Sequence, residues 1–127
     1  MSHLYFDRPV AETSVDADQD VRLKSLGMQL YPPLSLTEIA TRDPLEAAPG
    51  LDAATQVAGV EAALWCETVE DGTDLELLLM PRLAGLAEVA WGRASRTWED
   101  HAAALAVQAP SWTARGWNYL QADTVGW

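Results

Sequence analysis

Two short steps in the sequence carry side chains that could do chemistry, each at the end of an apolar segment. Tyr5 and Asp7 end the first apolar run. Trp65 and Glu67 end a second one, which begins at Val57. A phenol can donate a hydrogen bond without carrying charge, an ionised carboxylate accepts strongly, and an indole adds a large contact area. The structural alternatives are aromatic residues packed in a strand and carboxylates that cap a helix or form salt bridges at a loop start.

The remaining ionisable residues do not predict a metal site or a cofactor. His3 and His101 lack partners at any metal-ligand spacing. Asp16, Asp18 and Asp20 alternate, but a calcium loop needs a longer series of oxygen ligands and a glycine turn. We therefore interpret these aspartates as solvated carboxylates in a loop.

Composition limits the class of protein. The chain has 127 residues, 49% of them hydrophobic, which fits one globular domain or a piece of one. A formal net charge of -11 argues against a nucleic-acid surface and against anionic membranes, because both need clustered Lys and Arg. No apolar run approaches the ~20 residues of a membrane span. The start of the chain predicts no signal peptide, and the compartment of the parent protein stays open.

Cys66 is the single cysteine, so no disulfide can form within the chain. It lies between Trp65 and Glu67, and side chains alternate between the two faces of a strand. We therefore expect Cys66 to point away from its two neighbours and to be a small core residue.

Two strands are predicted to position the two steps. The run at 3–7 is short and aromatic, and the segment at 57–65 is apolar almost throughout, which is typical of a parallel sheet covered on both faces. Residues 10–20 are polar and predict a loop. Residues 43–57 contain prolines and predict an irregular connection.

Three helices are predicted between and after the strands. A capping box at Ser35 and Glu38 predicts a short helix over 36–42. A second capping box at Thr73 predicts the start of a long helix. Its expected buried face consists of residues at helical spacing, namely Leu75, Leu78, Leu79, Leu83, Leu86 and Ala90.

Two prolines limit these helices. Pro81 lies inside the long pattern and must kink or split the helix, because it has no amide hydrogen and crowds the preceding turn. The third helix is predicted over 97–108, ending before Pro110. Residues 111–115 could add a further helical turn, ended by Gly116.

The order of elements is β-α-β-α, which predicts an α/β protein with a parallel sheet. Two strands and their helices would leave sheet edges and apolar faces open. We therefore expect that the chain is part of a larger fold whose N-terminal part is missing.

The segment 59–91 resembles the C-terminal end of the catalytic barrel in family 20 glycoside hydrolases, the β-N-acetylhexosaminidases. The residues that match the family's strand are Gly59, Ala62, Leu64, Trp65 and Glu67. The residues that match its helix are Pro81, Arg82, Ala87, Glu88 and Trp91. The step at residues 5–7 resembles the end of the family's preceding strand, and residues 108–116 resemble its closing helix.

This resemblance implies a fold in which residues 1–127 are the C-terminal portion of a family 20 catalytic domain. The chain would hold about the last two β/α units, plus a terminal helix, of a (β/α)8 TIM barrel. In such barrels the active site lies at the C-terminal ends of the strands, which is where both polar steps are predicted.

The resemblance also implies the chemistry. The family releases terminal non-reducing N-acetylhexosamine residues from oligosaccharides or glycoconjugates by substrate-assisted retaining hydrolysis. Tyr5 matches the residue that orients the acetamido group. Asp7 and Glu67 match residues that bind sugar hydroxyls around O4 and O6. Trp65 matches part of the aromatic wall around the sugar.

One departure from the family pattern is large. The adjacent Asp-Glu catalytic pair is absent, since the two acidic steps beginning at Glu70 and Glu99 have the reverse order. We expect the chain alone to be inactive. A non-catalytic carbohydrate-binding or scaffold module is the alternative, and glucosamine and galactosamine substrates both stay open.

The other matched or aromatic residues are expected to be structural. Arg82 and Glu88 should form buried structural pairs on the helix behind the strand. The remaining tryptophans are expected to pack rather than to bind sugar, namely Trp91, Trp98, Trp112, Trp117 and Trp127.

Overall fold

The computed structural model describes residues 4–45, 50, 57–92 and 96–127. Within these residues the chain forms five helices: α1 (Ala17–Leu23), α2 (Leu36–Ala40), α3 (Gly72–Leu79), α4 (Arg82–Trp91) and α5 (Trp98–Ala114). None of these helices is both long and apolar enough to cross a membrane. Most of the predicted irregular connection at 43–57 lies outside the described residues.

The two predicted strands lie side by side and run parallel, but they pair through a single bridge. Tyr5 pairs with Ala63 in the parallel sense. The amide of Phe6 donates to the carbonyl of Ala63 over 2.8 Å, and the amide of Ala63 donates to the carbonyl of Leu4 over 3.0 Å. The prediction of full strands at 3–7 and 57–65 is wrong for the described part of each, because each segment has only this one short pairing there.

Helix α1 contradicts the prediction of a loop at 10–20. The side chain of Asp16 accepts from the amides of Asp18 and Gln19, so it caps the helix instead of lying free in solvent. Gln19 is buried and donates from Nε2 to Asn118 and to the carbonyl of Tyr119. These contacts join α1 to the C-terminal tail, which the local polar sequence does not reveal.

Helix α2 confirms the capping box at Ser35 and Glu38, although the helix ends at Ala40 instead of residue 42. Its buried side packs against α4. A Cβ atom placed on Gly85 of α4 would lie 3.1 Å from Ile39, so the two helices approach closely at this glycine.

Pro81 splits the long predicted helix into α3 and α4. The N-cap of α3 is Asp71 rather than Thr73, because the carboxylate of Asp71 accepts from the amide of Asp74. After the break the predicted apolar face continues only in part, and Leu86 still packs against the buried residues around the parallel bridge. Leu78 is fully buried, but Leu83 is 45% exposed, since the residues after the break no longer keep the phase of those before it.

Helix α5 runs through Pro110, where the sequence predicts its end. The missing amide of an interior proline costs about 3 kcal/mol. The buried side of α5 nevertheless continues across it, from Leu105 to Trp112, and this burial offsets the loss. The helix ends before Gly116, which has a φ of 72°.

Two hydrophobic clusters hold these elements together. The first joins α2, α3 and α5 to the C-terminal tail and consists of Leu26, Leu36, Leu77, Leu78, Leu105, Trp112, Leu120, Ala122 and Val125. The second lies around the parallel bridge and consists of Leu4, Phe6, Leu34 and Ile39. The second cluster therefore supports the segment that carries Tyr5 and Asp7.

The tryptophans divide between packing and exposure. Trp112 is buried, and Trp98 and Trp127 pack against the first cluster, as predicted. Trp91 is 86% exposed and Trp117 is 40% exposed, so the packing prediction is wrong for these two. Trp91 is the last residue of α4. The guanidinium of Arg115 lies over the ring of Trp117, 5.6 Å from its centroid.

Candidate functional site

The ends of the two paired segments open into a surface cleft of about 200 Å³. Its lining residues are Tyr5, Asp7, Met28, Tyr31, Trp65 and Glu67. The parallel bridge sets the two polar steps side by side, and so the structure brings together the residues singled out from the sequence. Met28 and Tyr31 come from the loop after α1 and have no counterpart in that prediction.

Asp7 is the buried acid of the cleft, with only 4% of its surface exposed. Its Oδ1 accepts from the amide of Cys66 over 2.9 Å, and its Oδ2 accepts from the amide of Trp65. These two bonds offset the cost of burying a carboxylate. They match the loop-capping alternative for Asp7, and each oxygen keeps a further lone pair for another donor.

The turn held by Asp7 changes the environment of Cys66. This residue has a φ of 64°, in the left-handed region, and its side chain is exposed. The prediction of a small core residue is therefore wrong. The alternation of a strand does not extend to Cys66, because the backbone leaves the extended conformation there.

Trp65 and Glu67 are the exposed members of the cleft. The indole of Trp65 is 67% exposed, although tryptophan contributes most to stability when buried. Glu67 is also exposed and lines the same cleft. Together they present an apolar face and a carboxylate to the solvent side of the cleft.

Two tyrosines stand together in the cleft. Tyr5 lies partly buried at the parallel bridge, and Tyr31 is 41% exposed. Their ring centroids are 6.3 Å apart and the rings are inclined by 55°. This centroid distance lies within the range at which aromatic pairs interact.

The loop that carries Met28 and Tyr31 is fixed to the Asp7 segment. The amide of Met28 donates to the carbonyl of Asp7 over 2.5 Å. Gly27 has a φ of 83°, and a Cβ atom there would lie 2.8 Å from the backbone of Pro9, so only glycine suits this position. An aromatic residue between this glycine and two prolines is the signal that could have indicated a wall of the site.

Arg82 stabilises the segment that carries Asp7. It is buried, and its guanidinium donates to the carbonyls of Leu78, Arg8 and Phe6. It also lies over the Phe6 ring, 4.9 Å from the centroid. Burial lowers the pKa of Arg82 to about 9, which still leaves it charged at neutral pH. Since two of these carbonyls flank Asp7, Arg82 fixes the backbone of that residue.

The expected buried pairs of Arg82 and Glu88 differ from what is observed. Arg82 is buried and structural, as predicted, but it bonds to backbone carbonyls. Glu88 pairs instead with Arg96 over 3.3 Å, where both side chains keep contact with solvent. Arg82 needs several acceptors because its fork of donors is buried, and carbonyls supply them without a second charge.

The chemistry offered by the cleft is that of a site for a polar ligand with an apolar face. Its lining contains phenols, carboxylates, a thioether and an indole, and no Lys or Arg. In the described part of the chain no group of three or more His, Cys, Asp or Glu could hold a metal ion.

Comparison with known proteins gives consistent results. The family described as "Glycosyl hydrolase family 20, catalytic domain" matches residues 1–94. The beta-N-acetylhexosaminidase of Cellulomonas fimi is 36% identical over 103 residues, which are 80% of this chain and 21% of that protein.

Solved structures agree with these matches. A structure titled "A Glycoside Hydrolase Family 20 beta-N-Acetylglucosaminidase" has a TM-score of 0.79 at 32% identity, covering 98% of this chain and 24% of that chain. A mutant beta-hexosaminidase of Streptomyces plicatus in complex with the product GlcNAc has a TM-score of 0.74 at 32% identity, covering 95% and 23%. The chain thus spans less than a quarter of the length of these relatives. Since the family match covers most of its residues, the chain belongs to glycosyl hydrolase family 20.

Proposed function

We propose that this chain supplies the sugar-binding part of a β-N-acetylhexosaminidase site. The reaction is the substrate-assisted, retaining hydrolysis of terminal non-reducing N-acetylhexosamine from an oligosaccharide or glycoconjugate. The observation that carries the proposal is the meeting of Tyr5, Asp7, Trp65 and Glu67 in one cleft. Family membership supports the same reaction class.

Each residue of the cleft has a role that suits its chemistry. The hydroxyl of Tyr5 holds the acetamido oxygen in line with the anomeric carbon, because orientation supplies much of the rate in an intramolecular attack. Asp7 and Glu67 accept from the hydroxyls around O4 and O6. Trp65 places its exposed indole face against the apolar C–H surface of the pyranose.

Asp7 combines this role with a structural one. Its two oxygens already accept from the amides of Trp65 and Cys66, and each has a second lone pair available. A sugar hydroxyl that donates to Asp7 therefore binds at a position fixed relative to the Trp65 backbone. The hydrogen bonds between Asp7 and this backbone therefore fix the distance between the two proposed sugar contacts, the Asp7 carboxylate and the Trp65 indole.

The proposal extends to the place of the chain in the fold. The parallel pairing of residues 5 and 63, each followed by a cleft residue, is what the end of a barrel sheet would present. We therefore assign the chain to about the last two β/α units of a (β/α)8 barrel. The catalytic Asp-Glu pair that the reaction needs has no counterpart among these 127 residues.

The binding role is tested by calorimetric titration of the chain with N-acetylglucosamine and with glucose, which lacks the acetamido group. We expect N-acetylglucosamine to bind more tightly than glucose. Trp65→Ala should weaken its binding at least about tenfold, equivalent to ~1.4 kcal/mol. Trp91→Ala is the matched control, since that indole is also exposed but does not line the cleft. Equal affinity for the two sugars, or a Trp65→Ala variant that binds N-acetylglucosamine as tightly as wild type, would contradict the proposed binding role.

A non-catalytic carbohydrate-binding module is the second candidate. The observation in its favour is that two clusters of buried hydrophobic residues join the described elements and support the segment that carries Tyr5 and Asp7. Urea unfolding of the chain distinguishes the two candidates. A single cooperative transition with sugar binding supports an independent module, whereas a broad transition supports a portion of a larger barrel.

A further inference from the structure

An apolar stripe runs along one exposed side of α4. Its members recur at intervals of three and four residues, which places them on one face of the helix, and they are Leu83, Ala87, Ala90 and Trp91. The two large side chains are 45% and 86% exposed. Contiguous exposed apolar residues mark an interaction surface, whereas single ones do not. We refer to these four residues as the α4 stripe.

The α4 stripe points away from α2. The contact between the two helices is made at Gly85, where a Cβ atom would lie 3.1 Å from Ile39. Each residue advances an α-helix by about 100°, so Leu83 and Ala87, two residues before and after Gly85, lie about 160° round the axis from it. The stripe therefore lies on the side of α4 where a further helix of the same layer would pack.

The segment before α4 has an open edge. Ala63 uses its amide and carbonyl for the pairing with Leu4 and Phe6. In a parallel sheet the residues on either side of such a residue direct their backbone groups to the opposite neighbour. Within the described ranges, the amides of Ala62 and Leu64 have no hydrogen-bond partner. An unpaired edge is a template for another strand, and this one lies on the side away from the first segment.

The open edge and the α4 stripe face the same side of the molecule, because α2 follows the first segment and α4 follows the second. An occupant that fits both is a strand followed by a helix, since the strand extends the parallel pairing and the helix covers the stripe. A second copy of the chain is disfavoured, because each copy has a formal net charge of -11 and the two would repel. The chain covers less than a quarter of its structural relatives, and the rest of a (β/α)8 barrel consists of such units.

We propose that the α4 stripe and the open edge dock a separate polypeptide without a covalent link, and that this partner is the N-terminal portion of a family 20 catalytic domain. The inference rests on the proposed barrel assignment and not on the proposed sugar contacts. The partner presents an extended backbone to Ala62 and Leu64 and an apolar helix face to the stripe. Docking buries the indole of Trp91, the most exposed large apolar side chain of the described residues.

The test mixes the full chain with the Cellulomonas fimi beta-N-acetylhexosaminidase from which the segment matching this chain has been deleted. Sedimentation velocity measures the expected one-to-one complex. Leu83→Asp should weaken the complex at least about tenfold, because docking would bury an unpaired charge. Trp91→Ala should do the same, since buried aromatic side chains carry much of the binding energy of an interface.

Val107→Asp is the matched control, because this side chain is 75% exposed but lies on α5, outside the stripe. It should change the affinity of the complex by less than about twofold. Circular dichroism of the three variants checks that the helices still form. We expect no loss of helix, since all three substituted side chains are exposed in the chain.

A fusion provides a second measurement that does not require the truncated relative to be soluble by itself. In it the chain replaces the deleted segment within the full-length relative. Leu83→Asp should lower the urea midpoint of the fusion and leave the midpoint of the chain alone unchanged. Val107→Asp should leave both midpoints unchanged. A merely local effect on α4 would lower both midpoints in Leu83→Asp.

Three results would overturn the inference. One is a complex that Leu83→Asp and Trp91→Ala leave intact. Another is the absence of a complex together with a fusion that does not respond to Leu83→Asp. The third is self-association of the chain that Leu83→Asp abolishes, because a second copy would then be the occupant.

The proposed sugar contacts are judged separately, by titration of the chain alone with N-acetylglucosamine. Docking without sugar binding would keep the inference and overturn the proposed sugar contacts. Sugar binding without docking would keep the contacts and overturn the inference.

Discussion

At the scale of the residue, Asp7 connects structure to the site. Its oxygens hold the turn that exposes Trp65, and its carbonyl accepts from the loop that carries Tyr31. A single buried acid thus sets the relative position of two walls of the cleft. The buried Arg82 donates to the carbonyls of Phe6 and Arg8, the residues on either side of Asp7.

The sequence was informative about Tyr5, Asp7, Trp65 and Glu67 because each follows an apolar run, and parallel pairing brings such ends together. The environment of Cys66 could not be predicted. It depends on a left-handed backbone that Asp7 stabilises from 59 residues away along the chain. Strand alternation contains no information about where such a turn begins.

Glu12 gives a residue-scale prediction on pH. Burial raises its pKa above the ordinary 4.5; Oε1 accepts from the amide of Leu36 over 2.8 Å. Among the described residues nothing bonds to its buried Oε2. A raised folded pKa means that folding favours the protonated form. The stabilising contribution is therefore complete below about pH 4.5 and is lost as pH rises through the raised value.

We expect Glu12→Gln to be more stable than wild type at pH 7 and equal to it near pH 4. The substituted side chain keeps the acceptor for Leu36 and has no charge to desolvate. Urea unfolding at the two pH values measures the difference. A variant that is less stable at pH 7 than at pH 4, relative to wild type, would contradict the account.

At the scale of the element, one carboxylate joins α1 to α3. Asp74 accepts from Arg22 at both oxygens, with Nε to Oδ1 at 2.7 Å. Its Oδ2 also accepts from the amide of Glu70 over 2.9 Å. The hydrogen bonds from Arg22 lower the pKa of Asp74 to about 2. Its contribution is therefore present above the ordinary pKa of 3.8 and is lost as pH falls toward 2.

Asp74→Ala should lower the free energy of unfolding by on the order of 2 kcal/mol at pH 7, because Asp74 is buried and hydrogen-bonded to a charged partner. The measurement is urea unfolding. Asp20→Ala removes the more exposed pair with Lys24, at 3.2 Å, and should change stability by less than about 0.5 kcal/mol. Equal losses in the two variants would show that the pair with Arg22 does not hold the helices together.

The helices also show where local patterns suffice. The capping box at Ser35 predicted α2, because all its partners lie within one turn. Helix α1 was missed, because it depends on contacts with the distant C-terminal tail. The helical turn after Pro110 was predicted, but its continuity with α5 was not, because it depends on burial against the core. Local propensity cannot supply such contacts.

At the scale of the whole molecule, the chain carries the cleft to which we assign sugar binding, without the pair of acids that the proposed reaction needs. The parallel order of the two segments could be read from their apolar composition. The shortness of their pairing could not be predicted from the sequence, because the number of paired residues depends on the strands that lie on either side.

We therefore expect the chain alone to give no hydrolysis of an aryl N-acetyl-β-glucosaminide above the buffer rate. The physical reason is that general acid catalysis of the leaving oxygen requires an acid placed within hydrogen-bond reach. Release of the aryl alcohol measures the rate. Turnover that Glu67→Gln abolishes would belong to this chain and would contradict the expectation.

The most direct test of the account is a crystal structure of the chain with N-acetylglucosamine. We predict one sugar in the cleft, with its ring against the Trp65 indole, its acetamido oxygen at the Tyr5 hydroxyl and O4 or O6 at Glu67. A sugar bound outside the cleft, or an empty cleft at a saturating concentration, would contradict the central claim.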